Sequence, residues 1–309
     1  MENRVKDLLP VPYFHVVFTI PHELNHIALQ NKRVVYDILF KSAADTLKEV
    51  AYRKFGGEIG FTAVLHTWGQ NLMDHPHLHM IVAGGALTPN KQSWVSCKTD
   101  YLLPLKILST VFRGKFLSTL EDSYEELSFH GRLTPLREKE RFQELLTTAS
   151  NNTWVVYAKK PFAGPKQVLN YLGQYTHRIA ISNHRLIKVE DGKIYFLYRD
   201  YADDNKKKVQ ALDAREFMRR FLLHVLPKKF VRLRHYGFLG NRLRQEKLSA
   251  CRGILKVNPP ETPKEKTWKE RLKELTGRDV DLCPQCGEKL LETTLAILQR
   301  KTCPELNSS

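Results

Sequence analysis

The chain has 309 residues, 42% of them hydrophobic, so it can bury a sizeable core. Lys and Arg outnumber Asp and Glu by 49 to 33, and the formal net charge is +16 at pH 7, which favours a polyanionic partner such as nucleic acid. The sequence has no lipidation motif, no long apolar run and no basic-then-apolar N-terminus, so we expect a cytoplasmic protein without a membrane partner.

The first half of the chain predicts strands and helices in alternation. β-branched and aromatic residues over 13–20 predict a buried strand. Apolar residues at helical spacing predict a helix over 31–54. Residues 57–67 and 77–83 predict the two strands of a hairpin. Three helical segments are then expected over 103–150.

The second half adds a further strand over 153–159 and a helix that begins at Pro165, a position where proline is tolerated. The dipeptide Asp191-Gly192 predicts a tight hairpin turn, and residues 215–226 predict an amphipathic helix. The lysine-rich residues 205–210 are expected to form a solvated turn. The predicted fold class is α+β, with a mostly antiparallel central sheet, helices packed on it, and a polar C-terminal extension.

Two histidines alternate on the second predicted hairpin strand. His77 and His79 are two residues apart, so their side chains share one face of the strand, with α-carbons about 6 to 7 Å apart. Two neutral imidazoles in this arrangement can hold one divalent ion. The alternative is that they decorate a half-buried face. His75, which precedes Pro76, is expected to be a bystander.

Two tyrosines lie on the helix that begins at Pro165. Tyr171 and Tyr175 are four residues apart and therefore neighbours on one helical face. A tyrosine can attack phosphorus, but its pKa near 10 requires help from a metal or a base. Alternatively, Tyr175 is a core aromatic residue. Beside Tyr171, the Gln174 amide could complete a metal shell and the Arg178 guanidinium could hold a phosphate.

Together, the His-hydrophobic-His strand and the Tyr-x-x-x-Tyr helix resemble the HUH nuclease superfamily. More closely, the chain resembles the two-tyrosine rolling-circle transposases of bacterial insertion sequences, the IS-ninety-one-like group. The resemblance covers most of residues 8–245 and is carried by the segments LLPVPYFHVVFTIPHEL, LHTWGQNLMDHPHLHMIVAGGAL, NYLGQYTHRIAISNHRL and RLRHYGFLGNRLR.

The resemblance implies an HUH-nuclease-like catalytic domain over 1–235, followed by a basic extension over 236–309. The implied substrate is single-stranded DNA at transposon ends and at the target. One tyrosine attacks the phosphodiester to form a 5′-phosphotyrosine and a free 3′-hydroxyl, and the second tyrosine permits strand transfer. The alternatives are a replication initiator or relaxase with the same chemistry, or a non-catalytic DNA-binding remnant of a transposase.

The resemblance also implies a Mg²⁺ or Mn²⁺ ion that polarises the phosphate and is held by His77, His79 and a third group. Gln174, His66 and Gln70 are the candidates for that third ligand.

Longer relatives carry a cysteine-rich zinc module before the LLPVPYF segment, and we expect the present chain to lack it. Near the other end, Cys283 and Cys286 have half of a zinc-ribbon spacing. They predict either a structural Zn²⁺ site or two unbonded thiols.

A basic and aromatic segment lies near residue 236. Its arginines and aromatic rings are suited to contacting phosphates and stacking on bases, and the segment comprises Arg232, Arg234, Tyr236, Phe238, Arg242 and Arg244. The alternative is a solvated basic face over a packed aromatic pair.

Overall fold

The structure is a computed structural model. It describes residues 6–98, 101–159, 180–200, 203–258, 267–277, 279–282 and 288. The chain divides into two compact units, Met1–Pro259 and Pro260–Ser309. Residues 236–258 belong to the first unit by this division.

The strands, in chain order, are β1 (Tyr13–Thr19), β2 (Glu58–Trp68), β3 (Asp74–Leu87), β4 (Trp94–Ser96), β5 (Val156–Lys159), β6 (Leu186–Glu190), β7 (Lys193–Asp200), β8 (Lys206–Asp213) and β9 (Leu233–Tyr236). The central sheet has six strands in the order β5-β1-β3-β2-β9, with β4 also paired to β3. Every described strand pair in it is antiparallel. The predicted α+β class with a mostly antiparallel sheet is confirmed.

The helices are α1 (Asn25–Gln30), α2 (Lys32–Phe55), α3 (Leu105–Asp122), α4 (Lys139–Asn151), α5 (Ala214–Leu223), α6 (Arg244–Leu255) and, in the second unit, α7 (Trp268–Thr276). The helix predicted over 31–54 is α2, which ends at Gly56 in the left-handed conformation that glycine favours. Within the described chain, no helix is long and apolar enough to cross a bilayer.

The region 103–150 differs from its prediction. It contains two α-helices, α3 and α4, with short 3₁₀ segments between them, where three helical segments were expected. One of the 3₁₀ segments, Gly131–Arg137, contains Pro135. Proline has no backbone N–H and clashes with the preceding turn of an α-helix, so an α-helix cannot continue through this position.

The two faces of the central sheet have different environments. Residues that alternate along β1 and β3 project into a core that also includes Leu39 of α2 and Phe112 of α3. The residues between them lie on the opposite face, where β1 contributes His15 and β3 contributes His77 and His79. The sheet therefore separates the main core from the histidines.

A second, three-stranded sheet has the order β6-β7-β8. The predicted turn at Asp191-Gly192 is confirmed: both residues have positive φ, 48° and 70°, as the tight hairpin turn requires. The solvated turn predicted over 205–210 is wrong, because Lys206–Asp213 pairs along its length with β7. The consecutive lysines obscured the alternation of apolar and polar residues that indicates a strand. Their long side chains remain exposed at the edge of the sheet or pair with acidic residues such as Asp200.

The segment after β9 covers part of the histidine-bearing face. Tyr13 of β1 and Ile81 of β3 lie on that face. They pack there with Phe238 and Leu239, which follow β9, and with Leu248 of α6. The part of this face nearest the turn between β2 and β3 carries the histidine cluster.

Candidate metal centre

Three histidines converge at the β2–β3 hairpin. His66 lies directly opposite His77 in the antiparallel pairing, and His79 is two residues further along β3. One ring nitrogen from each residue lies within 4.8 Å of the corresponding atoms of the other two. The structure therefore brings together His77 and His79, which the sequence predicted as ligands, with His66, which it offered as a third.

Hydrogen bonding orients the ring of His77. Its Nδ1–H donates to the carbonyl oxygen of His75 over 2.6 Å, so Nε2 carries the lone pair. That Nε2 atom is 3.0 Å from Nε2 of His79. A metal-binding histidine commonly donates its other ring N–H to a backbone carbonyl in this way, which fixes the tautomer and makes the ligand nitrogen more basic.

Two histidines at this site, His77 and His15, have lowered pKa values and are neutral at neutral pH. Burial lowers the pKa of His77 to about 4, and the neighbouring His75 adds to this effect. Burial also lowers the pKa of His15 to about 3, reinforced by the positive charge of Lys159 and, when its ring is protonated, by His77. Neutral imidazole is the form that binds metal ions, so His77 does not have to lose a proton at neutral pH before it can act as a ligand.

The donor set fits a divalent metal ion. Three convergent imidazoles resemble the three-protein-ligand sites that leave further positions open for water or substrate. Imidazole nitrogen is a ligand of first-row transition metals rather than of Mg²⁺, which prefers oxygen.

His15 is a member of the cluster that the sequence analysis missed. It is only 4% exposed, and its Nε2 is 2.8 Å from Nδ1 of His79. The alternation along β1 places His15 on one face, but no local pattern shows that β1 lies beside β3. The only signal available was a histidine within an otherwise apolar strand.

The ring of His66 also stacks on an aromatic side chain. Its ring lies parallel to the indole of Trp68, with centroids 4.7 Å apart and planes 15° from parallel. The guanidinium of Arg232 lies over the same indole, 5.6 Å from the centroid. Burial lowers the pKa of Arg232. Arg232, predicted as a DNA contact, thus contacts the indole that stacks on His66.

The other predicted arginine contacts lie farther along the chain. Arg234 forms an ion pair with Asp37 and lies 4.1 Å from the ring centroid of Phe40. Arg242 is exposed. Phe238 is fully buried and Tyr236 stacks on Phe61, with centroids 5.0 Å apart, so the packed aromatic arrangement that the sequence offered as an alternative is present.

Several predicted site residues lie outside the described residues. They are the two tyrosines Tyr171 and Tyr175, the flanking Gln174 and Arg178, and the cysteines Cys283 and Cys286. Gln70 is described, and its backbone carbonyl accepts a hydrogen bond from Arg185.

Comparison with known proteins identifies the family. A family model described as "Y2_Tnp: Putative transposase" matches residues 60–247, which include the β2–β3 hairpin and its three histidines. The chain is 49% identical over 295 residues to "Putative transposase y4qJ" of Sinorhizobium fredii, covering 93% of this chain and 74% of that relative. It is 27% identical over 305 residues to "Transposase for insertion sequence element IS801" of Pseudomonas savastanoi pv. phaseolicola, covering 94% of this chain and 69% of that relative. The chain therefore belongs to the Y2_Tnp transposase family.

Proposed function

We propose that the protein is a metal-dependent single-stranded DNA endonuclease and strand transferase that acts in rolling-circle transposition. The observation that carries the proposal is the convergence of His66, His77 and His79 in a member of a transposase family. The net charge of +16 supports a nucleic-acid substrate. The element ends and the target are the proposed single-stranded substrates.

The reaction is a transesterification at phosphorus. The hydroxyl oxygen of Tyr171 or Tyr175 forms a bond to the scissile phosphorus, and its proton passes to a base. The bond from phosphorus to the 3′-oxygen breaks, and that oxygen takes up a proton to become a free 3′-hydroxyl. The DNA 5′-phosphate stays attached to the tyrosine as a phosphodiester. Because one phosphodiester replaces another, no ATP is needed, and the second tyrosine can cleave again before the first is released.

The histidines have a defined part in this reaction. His77, His79 and His66 hold Mn²⁺ or Mg²⁺, which, when bound, polarises the phosphate and stabilises its developing charge. We assign His66 as the third ligand because its ring nitrogen lies with the other two. Gln174 remains the alternative ligand.

The arginines complete the proposed DNA site. Arg232, whose guanidinium lies over the indole that stacks on His66, is proposed to neutralise a phosphate near the scissile bond. Arg178 and Arg242 are proposed to hold the strand on either side. Arg234, which pairs with Asp37 of α2, is proposed to contact DNA farther from the cluster. Residues 1–235 are proposed to form the catalytic domain, and residues 236–309 a basic extension in which Cys283 and Cys286 bind a structural Zn²⁺.

A covalent-adduct assay tests the proposal. The protein is incubated with single-stranded oligonucleotides that span candidate element ends, together with Mn²⁺ or Mg²⁺, and then denatured. We expect a DNA adduct that survives denaturation and that is lost in His77→Ala and in the double variant Tyr171→Phe, Tyr175→Phe. The control Tyr52→Phe alters a tyrosine that is 58% exposed on α2, which packs against the opposite face of the sheet, and it should form the adduct normally.

The assay also separates the alternatives. A protein that shifts the oligonucleotide in a gel but never forms the adduct is a non-catalytic remnant. An adduct that persists in the double tyrosine variant overturns the nucleophile assignment. Cleavage at a replication origin rather than at an element end indicates an initiator or relaxase.

A further inference from the structure

The turn that joins β2 to β3 is held by side chains from a separate part of the fold. We call residues 69–73 the hairpin tip. Within it, the amide of Gly69 donates to the carbonyl of Met73 over 2.9 Å, and Leu72 has a positive φ of 62°. The left-handed conformation brings the Cβ of a leucine too close to the following carbonyl oxygen, so the tip requires support from its surroundings.

Three side chains bind three successive carbonyl groups of the tip. Arg185 donates to the carbonyl of Gln70, Arg220 donates to that of Asn71 over 3.2 Å, and His224 donates to that of Leu72 over 3.0 Å. We call these three side chains the clamp, and they comprise Arg185, Arg220 and His224. Arg185 precedes β6, and the other two lie on α5 or at its C-terminal end.

Two side chains of the clamp make further hydrogen bonds, one to the second sheet and one within α5. Nε of Arg185 donates to the carbonyl of Leu197 on β7 over 2.7 Å. Nε of Arg220 donates to Glu216 over 2.7 Å, one turn earlier on the same helix. The side chain of Leu72 is fully buried in a cluster with Phe196 and Phe217. The tip is therefore docked on the second sheet and α5 by both polar and apolar contacts.

The clamp also reaches the strand that carries His66. The β2–β3 register is irregular between His66 and Trp68, so Thr67 sits at the irregularity. Thr67 is 1% exposed, and its hydroxyl is 3.2 Å from Nδ1 of His224. Because Nε2–H of His224 donates to Leu72, its Nδ1 carries a lone pair and accepts from this hydroxyl. One neutral imidazole thus ties both sides of the hairpin together immediately beyond the metal cluster.

We infer that the clamp positions the metal centre: by fixing the hairpin tip and Thr67, it holds the rings of His66 and its stacking partner Trp68 in register with His77. The inference rests on the proposed metal-binding function and adds to it a role for the second sheet and α5. Arg185, Arg220 and His224 are positioning residues, since none of them belongs to the group of convergent ring nitrogens.

Titration with Mn²⁺, followed by the electron paramagnetic resonance of the free ion, tests the inference on the full chain. His224→Phe keeps a ring but removes both hydrogen bonds, and we expect the dissociation constant to rise about tenfold, as when outer partners of metal ligands are removed. His224→Gln keeps an N–H donor for Leu72 and should recover part of the loss. Met218→Ala is the matched control, because Met218 lies on the same helix and is 49% exposed.

A double-mutant cycle identifies the contact. Thr67→Val removes only the hydroxyl and should weaken Mn²⁺ binding in the same direction as His224→Phe. The variant that combines both changes should bind as weakly as His224→Phe alone, because both act through one contact. Amide hydrogen exchange at Leu72, measured without metal, should accelerate in His224→Phe and remain unchanged in Met218→Ala.

The outcomes are distinct. If wild type binds Mn²⁺ and the folded variants His224→Phe and Thr67→Val bind it equally well, the inference is overturned while the proposed function stands. If wild type binds no Mn²⁺, the proposed function fails and the inference fails with it. If His224→Phe does not fold, Thr67→Val decides, and an unchanged dissociation constant in that variant overturns the inference.

Discussion

His15 and His79 lie on adjacent strands with their rings nearly parallel, and Nε2 of His15 is 2.8 Å from Nδ1 of His79. On its other side, His79 directs Nε2 toward His77. When Nε2 of His79 acts as a metal ligand, the proton of this ring belongs on Nδ1, where Nε2 of His15 can accept it. His15 is therefore placed to select the tautomer of His79 that binds metal.

We predict that His15→Phe weakens Mn²⁺ binding about tenfold, because His79 loses the acceptor that fixes its tautomer. His15→Gln, which retains a polar group that can accept the proton, should lose less. Isothermal titration calorimetry measures both values. The control is His22→Ala, which alters a histidine whose side chain is 86% exposed. Equal affinity in wild type and His15→Phe would remove His15 from the metal centre.

Asp74 makes stability depend on pH. Burial raises the pKa of its carboxyl group from 3.8 to about 7, an effect that Lys32 opposes, and its carboxylate oxygens are buried without a hydrogen-bond partner in the described chain. A raised carboxyl pKa means that the folded state holds the proton more tightly than the unfolded chain. The free energy of unfolding should therefore fall as the pH rises from about 4 to about 7.

The variant Asp74→Asn tests this pH dependence, because an amide cannot ionise. We expect it to be more stable than wild type at pH 8 and to lose that advantage as the pH falls toward 4, as measured by urea unfolding. Asp122→Asn, at an exposed position, is the control and should leave the pH dependence unchanged. A wild-type advantage at pH 8 would show that ionised Asp74 has a favourable partner.

Gly237 should tolerate no side chain. It has a φ of +61°, and an added Cβ would lie 1.6 Å from the carbonyl oxygen of Ile59, whereas Gly131 has a φ of +57° and open space around it. Gly131→Ala should cost about 1 to 2 kcal/mol from the backbone conformation alone. Gly237→Ala should cost clearly more, because β2 must also move. Chemical denaturation of both variants gives the comparison, and equal losses would contradict the predicted steric conflict.

Phe112 is a central residue of the main core. It is fully buried and its ring contacts Phe18 and Trp154, with centroids 5.0 and 5.2 Å away. Phe112→Ala should lower the free energy of unfolding by about 3 to 5 kcal/mol. Ile107→Ala, at a position 51% exposed on the same helix, should change it by less than about 0.5 kcal/mol. Thermal unfolding should rank the two variants in this order.

The elements that were predicted correctly are those whose sequence pattern lies within one short segment of the chain. The apolar spacing of α2, the alternation in β2 and β3, and the Asp191-Gly192 turn each lie within a short window, and each is confirmed. The prediction failed at β8, where consecutive lysines masked a strand whose pairing depends on β7. Periodicity within a segment does not show which distant segment lies beside it.

The histidine cluster likewise combines residues that local spacing predicts with residues that only the strand pairing brings together. His77 and His79 share a strand, so spacing alone placed them together. His66 needed the hairpin register to become the residue opposite His77, and His15 needed the pairing of β1 with β3. The clamp residue His224 is 157 positions from Thr67, and no local pattern connects them. The roles of Tyr171 and Tyr175 remain predictions.

The alternation along β3 has a consequence for how such a protein can change over evolution. Leu78, Met80 and Val82 face the main core, whereas His77 and His79 face away from it. Mutations that alter the ligand set therefore leave the main packing layer intact, and mutations that repack that layer leave the ligands in place. On β3, the side chains of the histidine cluster and those of the main packing layer can therefore be selected separately.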